Sequence, residues 1–223
     1  VVKRGKTPAM IAQARYQLAQ LANANGKYQE AIGLYDQVLS DKSNSELVPY
    51  SLYGKGNALM QTQQFEAAIE PLTQMLLKHQ GHPLQAEAML ARGIARRNIG
   101  LGAEASKDLE AFLQTKPTGV SLGHALYEAA LIDQKNKQPD KAATKLEALI
   151  RQVPDYPSMA EVLYELGWSL QESNKESDAL KYFAKLVRDH PDSPLVAESA
   201  YYIGQEAYSK SRWQDAAKQF RLA

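Results

Sequence analysis

The sequence predicts an all-α solenoid of stacked antiparallel helix hairpins, because three columns of residues recur every 37 positions without an insertion or deletion. Alanine fills the first column at Ala31, Ala68, Ala105, Ala142, Ala179 and Ala216. The second is small throughout: Ala19, Gly56, Gly93, Ala130, Gly167 and Gly204. The third is aromatic or aliphatic: Tyr35, Leu72, Leu109, Leu146, Phe183 and Phe220. Fixed-period self-similarity in this range marks an array in which each unit buries its apolar face by stacking on its neighbours.

Each copy reads as two helices. In the fifth, Leu163, Leu166, Gly167 and Leu170 form the stripe of an amphipathic helix A. Ser173-Asn174-Lys175 then interrupts it, and Ala179, Leu180, Phe183, Leu186 and Val187 form the stripe of helix B. Turn formers break the other copies at the same phase: Asn25-Gly26-Lys27, Thr62 to Gln64, Gly100-Leu101-Gly102, Asn136 to Pro139 and Ser209 to Arg212. Thr7-Pro8 and Ser193-Pro194 place a capping hydroxyl before a proline suited to the first helical position, so Pro83, Pro157 and Pro194, which share a phase, are expected to start A helices. Pro117, Pro154 and Pro191 share another phase and are expected to stop B helices. Pro71 falls inside a predicted helix B and is expected to kink or shorten it. The small columns on both helices point to close backbone approach where they cross. The predicted copies span 8–44, 45–82, 83–119, 120–156, 157–193 and 194–223, a single solenoid domain over residues 1–223.

Composition narrows the function. Lysine plus arginine number 26 and aspartate plus glutamate 25, so a net charge of +1 gives no global field for nucleic acid or an anionic membrane. The absence of cysteine excludes disulfides, thiolate metal sites and thiol catalysis, and leaves the redox compartment open. No apolar run reaches the length of a membrane span, and the start, Val1-Val2-Lys3-Arg4-Gly5, does not read as a signal peptide. A start without methionine and an end at Phe220-Arg221-Leu222-Ala223, partway through a helix B, read as a segment of a longer protein.

Small residues mid-way along helix A and early in helix B, an aromatic four residues later and a closing proline resemble the tetratricopeptide repeat. Gly167, Ala179, Phe183 and Pro191 carry the match in the fifth copy, and Gly93, Ala105, Leu109 and Pro117 in the third. The resemblance runs from about Pro8 to the end and implies a right-handed superhelix. Two departures stand out: the usual repeat is 34 residues, and the chaperone-binding members' clamp for a C-terminal carboxylate has tyrosine here at its leading position. His190-Pro191-Asp192-Ser193-Pro194 followed by Ala197, Ala200, Tyr201 and Gly204 resembles a bacterial envelope subclass, the Tol-Pal-associated and β-barrel-assembly lipoprotein types.

The family resemblance implies a concave groove lined by the A helices, and so a non-catalytic scaffold binding a protein or peptide. The stripe it assigns is Tyr50, Tyr53, Asn57 and Met60, then His124, Tyr127, Leu131 and Gln134, then Glu161, Tyr164, Trp168 and Gln171, and Glu198, Tyr201, Gln205 and Tyr208. The candidate groove residues are Tyr53, Tyr127, Leu131, Tyr164, Trp168, Tyr201 and Tyr208. Tyrosine recurs at one phase, Tyr16, Tyr53, Tyr127, Tyr164 and Tyr201, and it suits an interface because it buries a large area and keeps a polar handle. The competing reading makes that column a brace between neighbouring A helices. Trp168 is the stronger candidate, since Gln20, Asn57, Ile94, Leu131 and Gln205 show that the phase does not require an indole.

Other signals read as structural. Arg92, Arg96 and Arg97 read as a solvated or ion-paired face, His79, His82 and His190 as residues at helix ends rather than metal ligands, and Gly100-Leu101-Gly102 as a hairpin turn rather than a phosphate loop. No cofactor is implied. An accessory domain of a larger enzyme or envelope-assembly protein is the alternative function. A nucleic-acid-binding helical repeat is disfavoured by Glu87, Glu161 and Glu198 along the groove. Trp213, Ala217 and Phe220 form a stripe that a further helix would cover, so end-to-end pairing of copies is expected.

Overall fold

The computed structural model describes residues 7–41 and 45–223. The start from Val1 to Gly5 lies outside the described residues. Twelve α-helices and one 3-10 turn, and no strand, occur among the described residues. They are α1 (Pro8–Ala24), α2 (Tyr28–Ser40), a 3-10 turn (Ser45–Leu47), α3 (Val48–Gln61), α4 (Phe65–Lys78), α5 (Gln85–Asn98), α6 (Gly102–Gln114), α7 (Gly119–Lys135), α8 (Pro139–Gln152), α9 (Met159–Glu172), α10 (Glu176–Asp189), α11 (Val196–Ser209) and α12 (Trp213–Phe220). The chain divides into two compact units, residues 1–116 and 117–223. In each, consecutive helices pack as three hairpins, and the second helix of one hairpin lies against the first helix of the next. The fold class is the all-α one that the column spacing predicts.

The columns form the core. The alanine column is at most 1% exposed at all six positions. The glycines of the small column do not bring two backbones together, as the sequence suggests. They receive the side chain of the third column from their own hairpin. A Cβ on Gly56 would lie 2.6 Å from Leu72, one on Gly167 2.6 Å from the Phe183 ring, and one on Gly204 2.6 Å from the Phe220 ring. Glycine is thus the socket for a large side chain sixteen residues on. Contacts this short force displacement of the neighbour.

A fourth column is written in backbone conformation. Gly26, Gln63, Gly100, Lys137, Asn174 and Ser211 have φ between 57° and 85°, and each closes a hairpin. The left-handed residue's own amide and the one after it back-bond into helix A in the same way each time: Gly26 N to Asn23 O and Lys27 N to Ala22 O in the first hairpin, Asn174 N to Gln171 O and Lys175 N to Leu170 O in the fifth. This paired 5→2 and 6→1 pattern satisfies the last carbonyls of helix A and reverses the chain. The Gly100-Leu101-Gly102 segment is such a turn, with α6 starting at Gly102.

Three proline expectations resolve differently. Pro8 does open α1, with Thr7 Oγ1 accepting from Met10 N at 3.3 Å. Pro83, Pro157 and Pro194 do not open helices: α5, α9 and α11 begin two residues later, at Gln85, Met159 and Val196. The reason is visible at Pro83 and Pro194, each second in a turn closed by Gln85 N to His82 O at 2.9 Å and Val196 N to Ser193 O at 3.1 Å, where a fixed φ is favoured. Pro117, Pro154 and Pro191 follow the ends of α6, α8 and α10 as expected. Pro71 does not shorten α4, which runs 14 residues, the same length as α8 and α10; its ring is buried within the hairpin stack.

Candidate functional site

The A helices carry the candidate residues, and each unit presents them differently. In the first unit, helical spacing places Tyr16, Gln20 and Asn23 of α1 opposite Tyr50, Tyr53 and Asn57 of α3, around a hollow of about 460 Å³ that Tyr35 of α2 also lines. The Tyr16 ring lies 6.2 Å from that of Tyr35 and 6.3 Å from that of Tyr50, and Tyr50 meets His82 edge-on at 4.7 Å. Gln20 Nε2 donates to Tyr16 Oη at 3.0 Å. Asn57 hydrogen-bonds the Tyr53 hydroxyl.

Burial pushes the Tyr35 phenol up to about 12 and raises Tyr16 and Tyr53 as well, so all three are neutral hydroxyls at physiological pH. No lysine, arginine, aspartate or glutamate lines the hollow among the described residues. Gly54 makes room for the Tyr35 ring, since a Cβ there would sit 2.4 Å from its Cζ. Of this group the sequence placed Tyr50, Tyr53 and Asn57 on the recognition stripe and Tyr16 in the tyrosine column, with Tyr53 as the groove candidate. Gly54 was the missed signal, a glycine at a phase where Glu165 and Tyr202 stand in the later copies.

In the second unit the stripe is partly closed on itself. Trp168 packs at 5.4 Å from the Phe183 ring, 5.5 Å from Tyr202 and 6.1 Å from Tyr164, a half-buried cluster joining the last two hairpins. Tyr164 is half-buried, and burial, followed by its hydrogen bond to Glu198, pushes its phenol up to about 12. Tyr127 stands 6.4 Å from Tyr156, and burial, reinforced by Glu165 and Glu161, holds its phenol far above the ordinary value. Leu131 is half-buried beside them. Tyr201 and Tyr208 of α11 are open, 51% and 58% exposed. Tyr201 accepts from Gln205 at 2.5 Å, and Tyr208 meets Trp213 edge-on at 4.8 Å.

Polar links tie neighbouring A helices. Gln134 Nε2 donates to Glu165 Oε2 at 3.0 Å, to Glu165 O at 3.1 Å and to Ser169 Oγ at 2.9 Å. Gln171 pairs with the Tyr202 hydroxyl one hairpin later. Burial raises the Glu165 carboxyl, and the Gln134 bond works against that shift. Tyr156 Oη lies 2.8 Å from His124 Nδ1, and burial lowers the His124 pKa.

The basic residues on α5 belong to the scaffold. Arg92 grips Asp108 with Nε to Oδ2 at 2.9 Å and Nη2 to Oδ1 at 2.7 Å, and Arg96 Nη1 reaches Oδ2 at 2.7 Å. Arg92 also donates to Thr73 Oγ1 at 3.2 Å, which ties α5 to the preceding hairpin. His79 and His190 are the C-cap residues of α4 and α10. Among the described residues no group of three His, Cys, Asp or Glu is placed to hold a metal, and no helix is long and apolar enough to cross a membrane.

A tetratricopeptide repeat family model matches residues 1–46, 53–119, 127–194 and 164–223. The chain belongs to the tetratricopeptide repeat family. Solved structures with this fold include MamA from Desulfovibrio magneticus RS-1, with a TM-score of 0.70 at 19% identity over 84% of this chain and 100% of that one. A repeat-containing protein from Cytophaga hutchinsonii gives 0.74 at 15% identity over 93% and 77%. YrrB, a tetratricopeptide protein with an unusual peptide-binding site, gives 0.65 at 18% identity over 82% and 89%. No curated protein matches as a sequence relative. These likenesses establish the tetratricopeptide fold, while the tyrosine-lined hollow is a feature of this chain's own residues.

Proposed function

We propose that this tetratricopeptide chain is a non-catalytic interaction scaffold that binds a peptide or protein partner along the A-helix faces. The observation that carries the reading is the hollow between α1 and α3, where three A-helix tyrosines and three carboxamides surround an uncharged concavity. Rigid aromatic surface with few rotors is what interface anchors are made of. Tyr201 and Tyr208 extend the same chemistry on α11, with Tyr127, Leu131, Tyr164 and Trp168 as the packed part of the second unit's stripe. YrrB is a precedent for peptide binding on the same fold. Glu161 and Glu198 on the stripe argue against nucleic acid.

The test is affinity capture of a partner followed by titration against variants. Tyr53→Ala, or Tyr201→Ala with Tyr208→Ala, should weaken that partner by about 2 kcal/mol if these are anchors. Unchanged affinity in both would move the site off the A-helix faces. Trp168→Ala is a poorer probe, because the ring also packs on Phe183 and Tyr202.

The same reading takes the six hairpins as copies of one 37-residue unit, supported by the turn conformation recurring at that spacing. The proline-bounded linker at His190 to Pro194 supports a bacterial envelope setting, which fractionation of the source cell would test. Self-association end to end is part of the proposal too. Ala14 and Leu21 on α1 are exposed, whereas Ser51, Ala88, Val162 and Ser199, at the phase of Ala14, are fully buried under a preceding helix. Phe220 is 38% exposed at the other end. Sedimentation over a concentration series should show association that Phe220→Lys suppresses; a strict monomer at high concentration would reject it.

A further inference from the structure

Charge in the second unit is sorted by helix. Its lysines and arginines lie on α8, α10 and α12 or outside the helices, apart from Lys135 in the last turn of α7. The A helices α9 and α11 carry Glu161, Glu165, Glu172, Glu198 and Glu206, and neither holds a lysine or an arginine. Glu206 is neutralised by Lys210 and Arg212 at the turn into α12. Glu161, Glu165 and Glu198 form no ion pair among the described residues.

These three acids share one stripe with the aromatic residues. Glu165 and Glu161 of α9 both act on the Tyr127 phenol of α7, adding to the effect of burial. Glu198 of α11 takes the hydrogen bond of the Tyr164 hydroxyl, and Glu165 acts on that phenol too. An acid of one A helix thus faces the tyrosine of the A helix before it, Glu161 towards Tyr127 and Glu198 towards Tyr164. Glu161 and Glu198 are exposed, as are the Tyr201 and Tyr208 rings beside them on α11. Glu165 is half-buried against an amide, Gln134 Nε2 at 3.0 Å, rather than a cation. Carboxylates that are partly stripped of water and meet phenols and amides instead of cations carry a cost, which a cation brought from outside recovers.

We propose that the A-helix face of α7, α9 and α11 takes a basic segment of a partner, with arginine or lysine side chains set against Glu161, Glu165 and Glu198. The inference rests on the reading that the A-helix faces bind peptide. A guanidinium or ammonium head meets the carboxylates, and its stem lies along the tyrosine rings, whose faces also attract the cation. The whole chain has a net charge of +1, so a basic segment gains nothing from the overall field and its attraction has to be local to this face. A neutral segment forgoes the charge pairing, and an acidic one is repelled.

The full chain titrated at low salt with three N-acetylated hexapeptide amides, arginine, glutamine or glutamate alternating with alanine, and followed by NMR, tests this. The arginine peptide should saturate with shifts centred on Tyr164, Trp168 and Tyr201, lose affinity as salt rises, and bind about tenfold tighter than the glutamine peptide. The glutamate peptide should not bind. Glu161→Gln with Glu198→Gln should remove the preference for arginine with helical content retained. Glu66→Gln with Glu104→Gln, the same change of charge at exposed B-helix positions, should leave it unaltered. No saturation by the arginine peptide, shifts centred elsewhere, equal affinity for the arginine and glutamine peptides, or equal losses in the two double variants overturns the inference. If the arginine peptide fails while a captured partner still depends on Tyr201 and Tyr208, the scaffold reading stands and only the partner's charge is wrong.

Discussion

Lys137 holds φ at 57°, the region that L-residues other than glycine enter at a cost, and it does so because the turn between α7 and α8 needs a left-handed residue there. Gly100 occupies the same place in the third hairpin without that cost. Lys137→Gly should therefore stabilise the protein by about 0.5–1 kcal/mol, and Gly100→Ala should destabilise it by a similar amount, both read from urea denaturation. A Lys137→Gly variant no more stable than the parent would mean that the turn relaxes at no cost. The turns were legible at this phase, but the identities Gly, Gln, Gly, Lys, Asn and Ser do not show which residue of each is left-handed, because that is a dihedral angle that several polar residues tolerate. The alanine and glycine columns are legible for the opposite reason: full burial and a ring at 2.6 Å leave few residue types that fit. Tyr53 was legible as a candidate, but the hollow around it was not, since that depends on how the Tyr35 ring packs into the room left at Gly54.

Between elements, ion pairing does work that the hydrophobic stripes do not announce. Asp108 of α6 is held by two guanidiniums from α5, and its side chain is 7% exposed while those of Arg92 and Arg96 are 14% and 19% exposed. Removing one partner of a buried network leaves charge with neither water nor counter-ion. Asp108→Ala should cost about 3–5 kcal/mol, whereas Asp178→Ala, which breaks the exposed pair with Lys181, should cost under about 1 kcal/mol. Thermal unfolding of the two variants checks this, and comparable losses would count against the triad. The sequence placed both arginines on an ion-paired or solvated face but did not name the acid, because Pro71 stands one period before Asp108 and Lys145 one period after. Helix starts were misjudged by two residues at Pro83, Pro157 and Pro194, since a proline suits a tight turn as well as a first helical turn.

At the scale of the whole molecule, tyrosine sets an alkaline limit on folding. Burial pushes the phenols of Tyr35, Tyr156 and Tyr164 up to about 12, while the unfolded chain ionises tyrosine near 10. The native state thus retains protons that the unfolded state has lost. Its stability is intact below pH of about 10 and declines as pH rises from there through the native values. His124 acts with the opposite sign. Its lowered pKa favours the neutral ring in the native state, so stability falls as pH drops below the ordinary histidine value of about 6.5. Circular dichroism should show helix loss above pH of about 10 in step with tyrosinate absorbance. Titration of all the tyrosines near 10 with the helices intact would show the buried phenols of Tyr35, Tyr156 and Tyr164 to be open to water.

The six left-handed turns also explain why the spacing has tolerated substitution but not a change of length. Their path is fixed by main-chain hydrogen bonds, so Gln63, Lys137 and Ser211 can stand where Gly26 and Gly100 do. One residue more is a different matter. An α-helix advances about 100° per residue, so a single insertion inside α10 ahead of Ala179 would swing everything after it a quarter of the way round the axis. Phe183 would leave the socket of Gly167 and face solvent, and the frame of every later helix in the unit would be lost with it. Spelling errors in these turns are survivable; frameshifts in the helical phase are not.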